Sequence, residues 1–208
     1  PVLPHGELRI GGFGGVGGLK TYLEKESIRL VIDATHPFAV QMSSYAFEAC
    51  GAMGVLLLRF ERRPWAADKG DRWIAAGNAE EAASLLPAGA RVLLTTGRKD
   101  LMPFFARGDI AGVARMIEAP PADPPSNWTV LRERPVFTVE GEARLMAENS
   151  ITHLVTKNAG GDATEAKLVA ARQRGIAVIM IARPTKPDVP HFASIGNLMT
   201  VVDGVLSP

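Results

Sequence analysis

The sequence predicts a parallel α/β protein in two lobes, and three observations carry that expectation. Apolar runs such as "LVI" at 30–32, "LLL" at 56–58 and "VIMI" at 178–181 are continuous rather than alternating. Strands buried on both faces of a parallel sheet have that character. The runs alternate along the chain with helical stretches of about ten residues, as strands joined by crossover helices do. The alternation breaks at "ERRPWAADKGD", residues 61–71, where charge, proline and glycine mark a linker. The expected division is therefore residues 1–66 and 67–208.

Taken in order, Glu7–Ile10 reads as a short strand running into "GGFGGVGG", and Leu19–Lys25 as the helix after it. "RLVID" is a buried strand, and Pro37 forbids its continuation because proline has no N–H for the ladder. Gln41–Cys50 is helical, Gly51 and Gly54 punctuate it, and "VLLLRF" is the next strand. Beyond the linker come strand "RWIAA", helix Ala79–Leu86, strand "RVLL" with the polar turn "TTGRKDL", and strand "VARMIEA". "PPADPPSNW" is too poor in backbone donors to enter a sheet and reads as a surface loop. Strand "WTVLRE", helix Glu140–Glu148, strand "THLVTK", helix Thr164–Arg174 and a last strand "AVIMIAR" complete the series.

Of 208 residues 47% are hydrophobic and 22% charged, which is ordinary for a globular protein with a sizeable core. The formal net charge of +1 gives no global field for nucleic acid or an acidic membrane surface, so local clusters must carry any anion binding. Cys50 is the only cysteine, which excludes an intrachain disulfide and any multi-cysteine metal site. A reducing cytoplasm is the expected location. No apolar run approaches the roughly 20 residues of a membrane helix, and "PVLPHGELRI" lacks the pattern of a signal peptide. No metal is expected from four dispersed histidines, and neither a GxSxG elbow, a Walker A loop nor HExxH is present.

Five stretches carry candidate chemistry, and plainer readings stand beside them. Gly11, Gly12, Phe13 and Gly14 open a glycine run between strand and helix, where side-chain-free backbone would let a phosphate or cofactor ring approach. The run departs from GxGxxG, so a flexible connecting turn explains it equally. "DATHPFA" places Asp33, Ala34, Thr35, His36 and Pro37 at a strand's carboxyl end, suited to ribose, amide or proton-transfer contacts. Otherwise Thr35 or Asp33 caps the next helix and His36 packs. "RFERRPW" offers Arg59, Arg62 and Arg63 beside Trp65, a guanidinium cluster for a polyanion or a solvated linker. Finally, "TTGRK" (Thr96, Gly97, Arg98, Lys99) and "TKNAGGDAT" (Lys157, Asn158, Gly160, Gly161, Thr164) both set hydroxyl, glycine and cation after a strand. On parallel strands they would share the carboxyl edge, where α/β sheets bind ligands. Lys157 would otherwise neutralise a neighbouring carboxylate, and Lys167 either leans toward that site or stays solvated. Thr164 is expected to cap the helix after it.

"GGFGG", "DATHPFA", "RFERRPW", "LLTTGRKDL" and "LVTKNAGGDATEAKLVAARQRGIAVIMIARP", in that order from about Leu8 to Arg183, closely resemble the precorrin-6A reductase family of cobalamin biosynthesis. The resemblance implies two Rossmann-like lobes with an interlobe cleft, and an enzyme that uses NADPH to reduce one double bond of the precorrin-6A macrocycle, giving precorrin-6B. The cobalt-containing substrate of the anaerobic pathway belongs to the same family. Members usually begin with a strand and a GGTxEA-like loop ahead of the segment matching "ELRIGGFGG", so the first lobe here is expected to lack them. On this reading Gly11, Gly12, Phe13, Gly14, Ala34, Thr35, His36 and Pro37 contact NADPH, because glycine and small hydroxyl groups dominate the first lobe. Arg62, Thr96, Gly97, Arg98, Lys99, Lys157, Asn158, Gly160, Gly161, Thr164 and Lys167 contact the macrocycle, because cations dominate the second. His36 is a candidate donor of the proton that reduction requires. Partners are limited to the macrocycle, with neither nucleic acid nor membrane, and the chain is expected to act as a monomer. The alternatives are a non-redox tetrapyrrole-binding protein or another NADP-dependent enzyme.

Overall fold

The computed structural model of the protein describes residues 6–206; the opening residues 1–5, part of the stretch read above as no signal peptide, lie outside them. In chain order the elements are helix α1 Gly15–Lys25, strand β1 Leu30–Asp33, helix α2 Val40–Met53 and strand β2 Leu56–Phe60. Strand β3 Trp73–Ala76, helix α3 Ala79–Ser84, strand β4 Arg91–Leu94, a 3-10 turn Arg98–Asp100 and helix α4 Met102–Phe105 follow. Next come strands β5 Ala111–Met116 and β6 Trp128–Arg132, helix α5 Val139–Glu148, strand β7 His153–Lys157 and a second 3-10 turn Asp162–Thr164. Helix α6 Ala166–Gln173, strand β8 Ala177–Ile181, strand β9 His191–Phe192 and helix α7 Ile195–Leu206 end the series.

The chain forms an α/β structure of two compact units, one of the described residues up to Glu61 with those from Thr185 on, the other Arg62–Pro184. That division corrects the expected boundary at 66/67: the last segment belongs to the first unit. The cause is strand β9, which adds to β2 in parallel with Arg59 opposite His191 and Phe60 opposite Phe192. The Arg59 N–H donates to the Pro190 carbonyl and the Glu61 N–H to the Phe192 carbonyl, both at 2.9 Å.

In the first unit the sheet order is β1-β2-β9. Successive strand residues face opposite sides, so Leu57 packs with Leu19 and Leu23 of α1 and Ala46, Ala49 and Cys50 of α2, while Leu58 packs with Leu198 and Val202 of α7. Glu7–Ile10, expected as a strand, is irregular and exposed. A strand exists only against a hydrogen-bonding neighbour, and this segment has none among the described residues.

In the second unit the order is β3-β8-β7-β4-β5-β6, all parallel. Leu93, Val113, Leu154, Val178 and Met180 of the sheet pack with Met146 of α5 and Leu168, Ala170 and Ala171 of α6. Two helices start on the side-chain caps that their sequences offer: Asn78 Oδ1 accepts from the Glu81 N–H and Thr138 Oγ1 from the Gly141 N–H. From β4 the chain winds outward to β5 and β6; from β7 it winds the other way to β8. The strand order thus reverses between β4 and β7, which pair directly.

Candidate functional site

The reversal point fixes where to look in the second unit. Crossovers leave adjoining strands there in opposite directions, so a crevice opens at their carboxyl ends. The two stretches that end β4 and β7 are "TTGRKD" and "TKNAGGDAT". They share one edge, as expected, and also share a backbone shape. Gly97 (φ 84°, ψ 170°) opens the turn Arg98–Asp100, and Gly161 (φ 84°, ψ 153°) opens the turn Asp162–Thr164. A positive φ with extended ψ is essentially reserved for glycine.

At this edge Thr95 Oγ1 donates to the Val155 carbonyl at 3.1 Å, tying β4 to β7, while Thr96 is buried and its hydroxyl has no partner among the described residues. Lys157 forms an ion pair with Asp100, which ties the end of β7 to the turn after β4. The neutralising alternative therefore describes Lys157 as it stands. Arg98 reaches Glu118 at 3.0 Å with both side chains exposed, and Lys99 is exposed.

Around Gly160 the chain is packed far more closely than a surface turn. Asn158 uses both ends of its amide on one residue: Oδ1 accepts from the Trp65 N–H at 2.8 Å, and Nδ2 donates to the Trp65 carbonyl at 3.0 Å. Its role is to bind the segment "RRPW" to the loop, a structural task that the expectation of ligand recognition did not foresee. Gly160 is buried with φ 67°, and a Cβ there would lie 2.0 Å from the Arg63 carbonyl oxygen. A Cβ on Gly161 would lie 2.7 Å from Arg62 Cδ. Arg183 Nε donates to the Asn158 carbonyl at 2.8 Å and Nη2 to the Ala159 carbonyl at 3.0 Å. Arg62, whose stem rests against Gly161, is itself exposed.

Two expectations about helix α6 are corrected. Thr164 lies inside the 3-10 turn and does not cap; Glu165 occupies the N-cap without a side-chain bond. Of the two alternatives for Lys167 the solvated one does not hold: the residue is 5% exposed, its Nζ lies 4.7 Å from the centre of the Trp65 ring, and it donates to the Thr164 carbonyl. Burial, and next the nearby Arg115, lower its pKa from 10.5 to about 7, against the opposing pull of Glu142 and Glu165. Arg115 and Glu142 are themselves a buried pair, Nη2 to Oε2 at 3.1 Å, with the Arg115 guanidinium 3.9 Å from the Phe137 ring centre. Sequence reasoning named Trp65 only as a neighbour of the guanidinium cluster and missed Asp100, Arg115 and Glu142. Glu142 within an otherwise amphipathic helix and Arg115 inside an apolar strand were the available signals.

In the first unit Asp33, at the end of β1, is the centre of a buried network. Its carboxylate accepts from Thr35 Oγ1 and Ser43 Oγ, both at 2.6 Å, from the Thr35 N–H at 3.1 Å, and from Arg59 Nε at 3.3 Å. Burial by itself would raise the Asp33 pKa; the bonds from Ser43, Thr35 and Arg59 together outweigh it and hold the group below its usual value. Neither Asp33 nor Thr35 caps α2, whose N-cap is Ala39 with no side-chain bond. Ala34 is exposed and Pro37 buried. His36 is exposed; its Nδ1 accepts from the Phe38 N–H at 3.2 Å and its carbonyl from Lys186 Nζ at 3.3 Å.

The glycine run begins in an irregular loop and ends inside helix α1. Among the described residues a Cβ at Gly11, Gly12, Gly14 or Gly15 would meet nothing within 4 Å, whereas one at Gly18 would sit 1.7 Å from the Phe13 carbonyl oxygen. Gly18 therefore lets the loop fold back on α1, and the outer glycines leave their backbone open to a ligand. Helix α1 starts at Gly14 without a side-chain cap, so its first N–H groups are not spent on one. Phe13 packs edge-on to Tyr22 at 5.2 Å, with the Arg9 guanidinium over both rings.

Residues 1–203 match the family model described as precorrin-6x reductase CbiJ/CobK. The chain belongs to the precorrin-6x reductase family. Among its relatives, a precorrin-6A reductase of Rhodobacter capsulatus is 47% identical over 202 residues, 96% of this chain and 80% of that protein. A cobalt-precorrin-6A reductase of Priestia megaterium is 29% identical over 176 residues, 78% of this chain and 68% of that one. The solved structure titled "CobK precorrin-6A reductase" superposes with a TM-score of 0.93 at 43% identity, covering 99% of this chain and 83% of its own. Both sheets of this precorrin-6x reductase family member are thus accounted for by one fold. Among the described residues no cluster of histidine, cysteine, aspartate or glutamate could hold a metal, and no helix is long and apolar enough to cross a membrane.

Proposed function

We propose that this chain is a precorrin-6A reductase that takes its reducing equivalents from NADPH and acts on the metal-free macrocycle to give precorrin-6B. Membership of the family across both units carries the reading, and the greater likeness to the precorrin-6A enzyme than to the cobalt-precorrin one favours the metal-free substrate.

The first unit holds the cofactor. Its residues suit a dinucleotide: open glycine backbone at Gly11, Gly12 and Gly14 leads into an uncapped helix of 11 residues, and a helix N-terminus attracts phosphate. Phe13 offers a ring face beside that backbone, and Ala34, Thr35, His36 and Pro37 line the end of β1, with Thr35 held by Asp33. Bound NADPH supplies the hydride. The second unit holds the macrocycle, whose acetate and propionate groups call for forked or point cations. Arg62, Arg98 and Lys99 are exposed cations there; Thr96, Gly97, Lys157, Asn158, Gly160, Gly161 and Thr164 shape the edge that presents them. His36 supplies the proton that accompanies reduction, being an exposed imidazole at a strand's carboxyl end.

The test is oxidation of NADPH, followed at the nicotinamide absorbance band, with purified protein and precorrin-6A. Macrocycle-dependent oxidation, faster with NADPH than NADH and faster than with the cobalt-containing macrocycle, is expected. Tetrapyrrole binding that is indifferent to NADPH and yields no turnover would leave a carrier instead.

A further inference from the structure

Four separate contacts fasten the segment of residues 62–65 to the loop of residues 158–164. Asn158 takes both backbone groups of Trp65, the Arg63 carbonyl lies where a Gly160 Cβ would be, and the Arg62 stem lies on Gly161. The fourth is Lys167, whose ammonium faces the indole of Trp65 at 4.7 Å while it donates to the Thr164 carbonyl. It alone among the four can change its charge near neutrality.

We propose that Lys167 is a positioning residue of the second unit's site: held between the Trp65 indole and the Thr164 carbonyl, it locks residues 62–65 onto the loop and so fixes where Arg62 meets an anionic substrate. The inference rests on the reading of that edge as the macrocycle's site. Lys167 does not touch the substrate, because its side chain, on helix α6, is buried against Trp65.

The charged groups that face it are Arg115 on β5, Glu142 on α5 and Glu165 at the start of α6. Arg115 and Glu142 are already paired with each other, which leaves the indole face and one carbonyl to receive the ammonium. Its pKa of about 7 follows from burial first and Arg115 second. The ring quadrupole attracts the ammonium below that pH, but the lowered pKa means that burial and Arg115 outweigh this attraction, so the site holds the neutral amine, with its hydrogen bond, better than the charged form. The lock is therefore tighter on the alkaline side of neutrality, where Lys167 is neutral, and loosens as pH falls through about 7.

Labelling with 5-fluorotryptophan gives one fluorine resonance for each of the three tryptophans, and Trp65→Phe identifies the one in question. In the unliganded wild type the Trp65 resonance should shift with a midpoint near pH 7, and in Lys167→Met it should stay flat. With substrates, Lys167→Met should raise the KM for precorrin-6A about tenfold and abolish its change across pH 6–8, leaving kcat and the KM for NADPH unaltered. Lys167→Gln is the second variant should the first not fold. A wild-type resonance without a midpoint near neutrality, the same midpoint in both variants, or an unchanged macrocycle KM would overturn the proposal. Failure of the wild type to oxidise NADPH with precorrin-6A would defeat the functional reading instead, and the fluorine titration would still decide whether Lys167 grips Trp65.

Discussion

Gly160 illustrates what a residue owes to its surroundings. Read as one of two glycines in a polar connection, it invites the expectation that Gly160→Val obstructs a ligand and spares the fold. In the folded chain the position is buried, has φ 67° and leaves no room beside the Arg63 carbonyl. Gly160→Val should therefore cost about 3 kcal/mol or more in urea unfolding, through both strain and overpacking. Gly12→Ala, with open space around it, should stay within about 1 kcal/mol. Equal losses at the two positions would contradict the packing described. Asp33 gives a second prediction at this scale. Its folded pKa is depressed, so the network stabilises above the unfolded carboxylate's value near 4 and loses that contribution as pH falls through the lower folded value. The wild-type advantage over Asp33→Asn, measured by denaturation from pH 6 downward, should shrink below about pH 4. Lys167 has the opposite window: its depressed pKa makes wild-type stability, relative to Lys167→Met, rise between about 7 and the free-lysine value near 10.4.

Secondary elements were legible where their own residues carried the signal. The runs in β1, β2, β4, β7 and β8 are apolar enough to be strands in any parallel sheet, and Asn78 and Thr138 announce the helices they cap. Strand β9 was not legible. Two residues carry no periodicity, and what makes them a strand is the unpaired edge of β2. Helix α7 depends likewise on Leu58, against which Leu198 and Val202 pack. Leu58→Ala should thus destabilise the first unit by about 2–5 kcal/mol. Hydrogen exchange should find the Arg59 and Glu61 amides, which bond to the β9 segment, less protected in the variant. Unchanged protection of both amides would mean that α7 and β9 hold independently of that core.

At the scale of the whole molecule, the prediction concerns the division of labour. Arg62 belongs to the second unit and Thr35 to the first. Arg62→Ala should raise the KM for the macrocycle about tenfold with little effect on NADPH, since one charge-assisted contact is worth roughly 1.5 kcal/mol. Thr35→Val, which removes the 2.6 Å bond to Asp33, should weaken NADPH and leave the macrocycle KM nearly unchanged. The opposite pattern would exchange the roles of the two units. Lys157→Ala is a poorer probe than its sequence position suggests, because it also strands Asp100.

By itself the sequence determined the parallel α/β class, most element positions, the family, and the two glycine-bearing stretches on one sheet edge. Those properties reside in local composition and order: continuous apolar runs, turn residues and an ordered set of motifs are present before the chain folds. Only the tertiary structure decided that the last segment returns to the first unit, that Asn158 and Lys157 are engaged with Trp65 and Asp100, and that Lys167 is buried. Each of these depends on a partner far away in sequence, as Trp65 is from Asn158, and a polar side chain's charge state and bonding are set by the groups that packing brings to it.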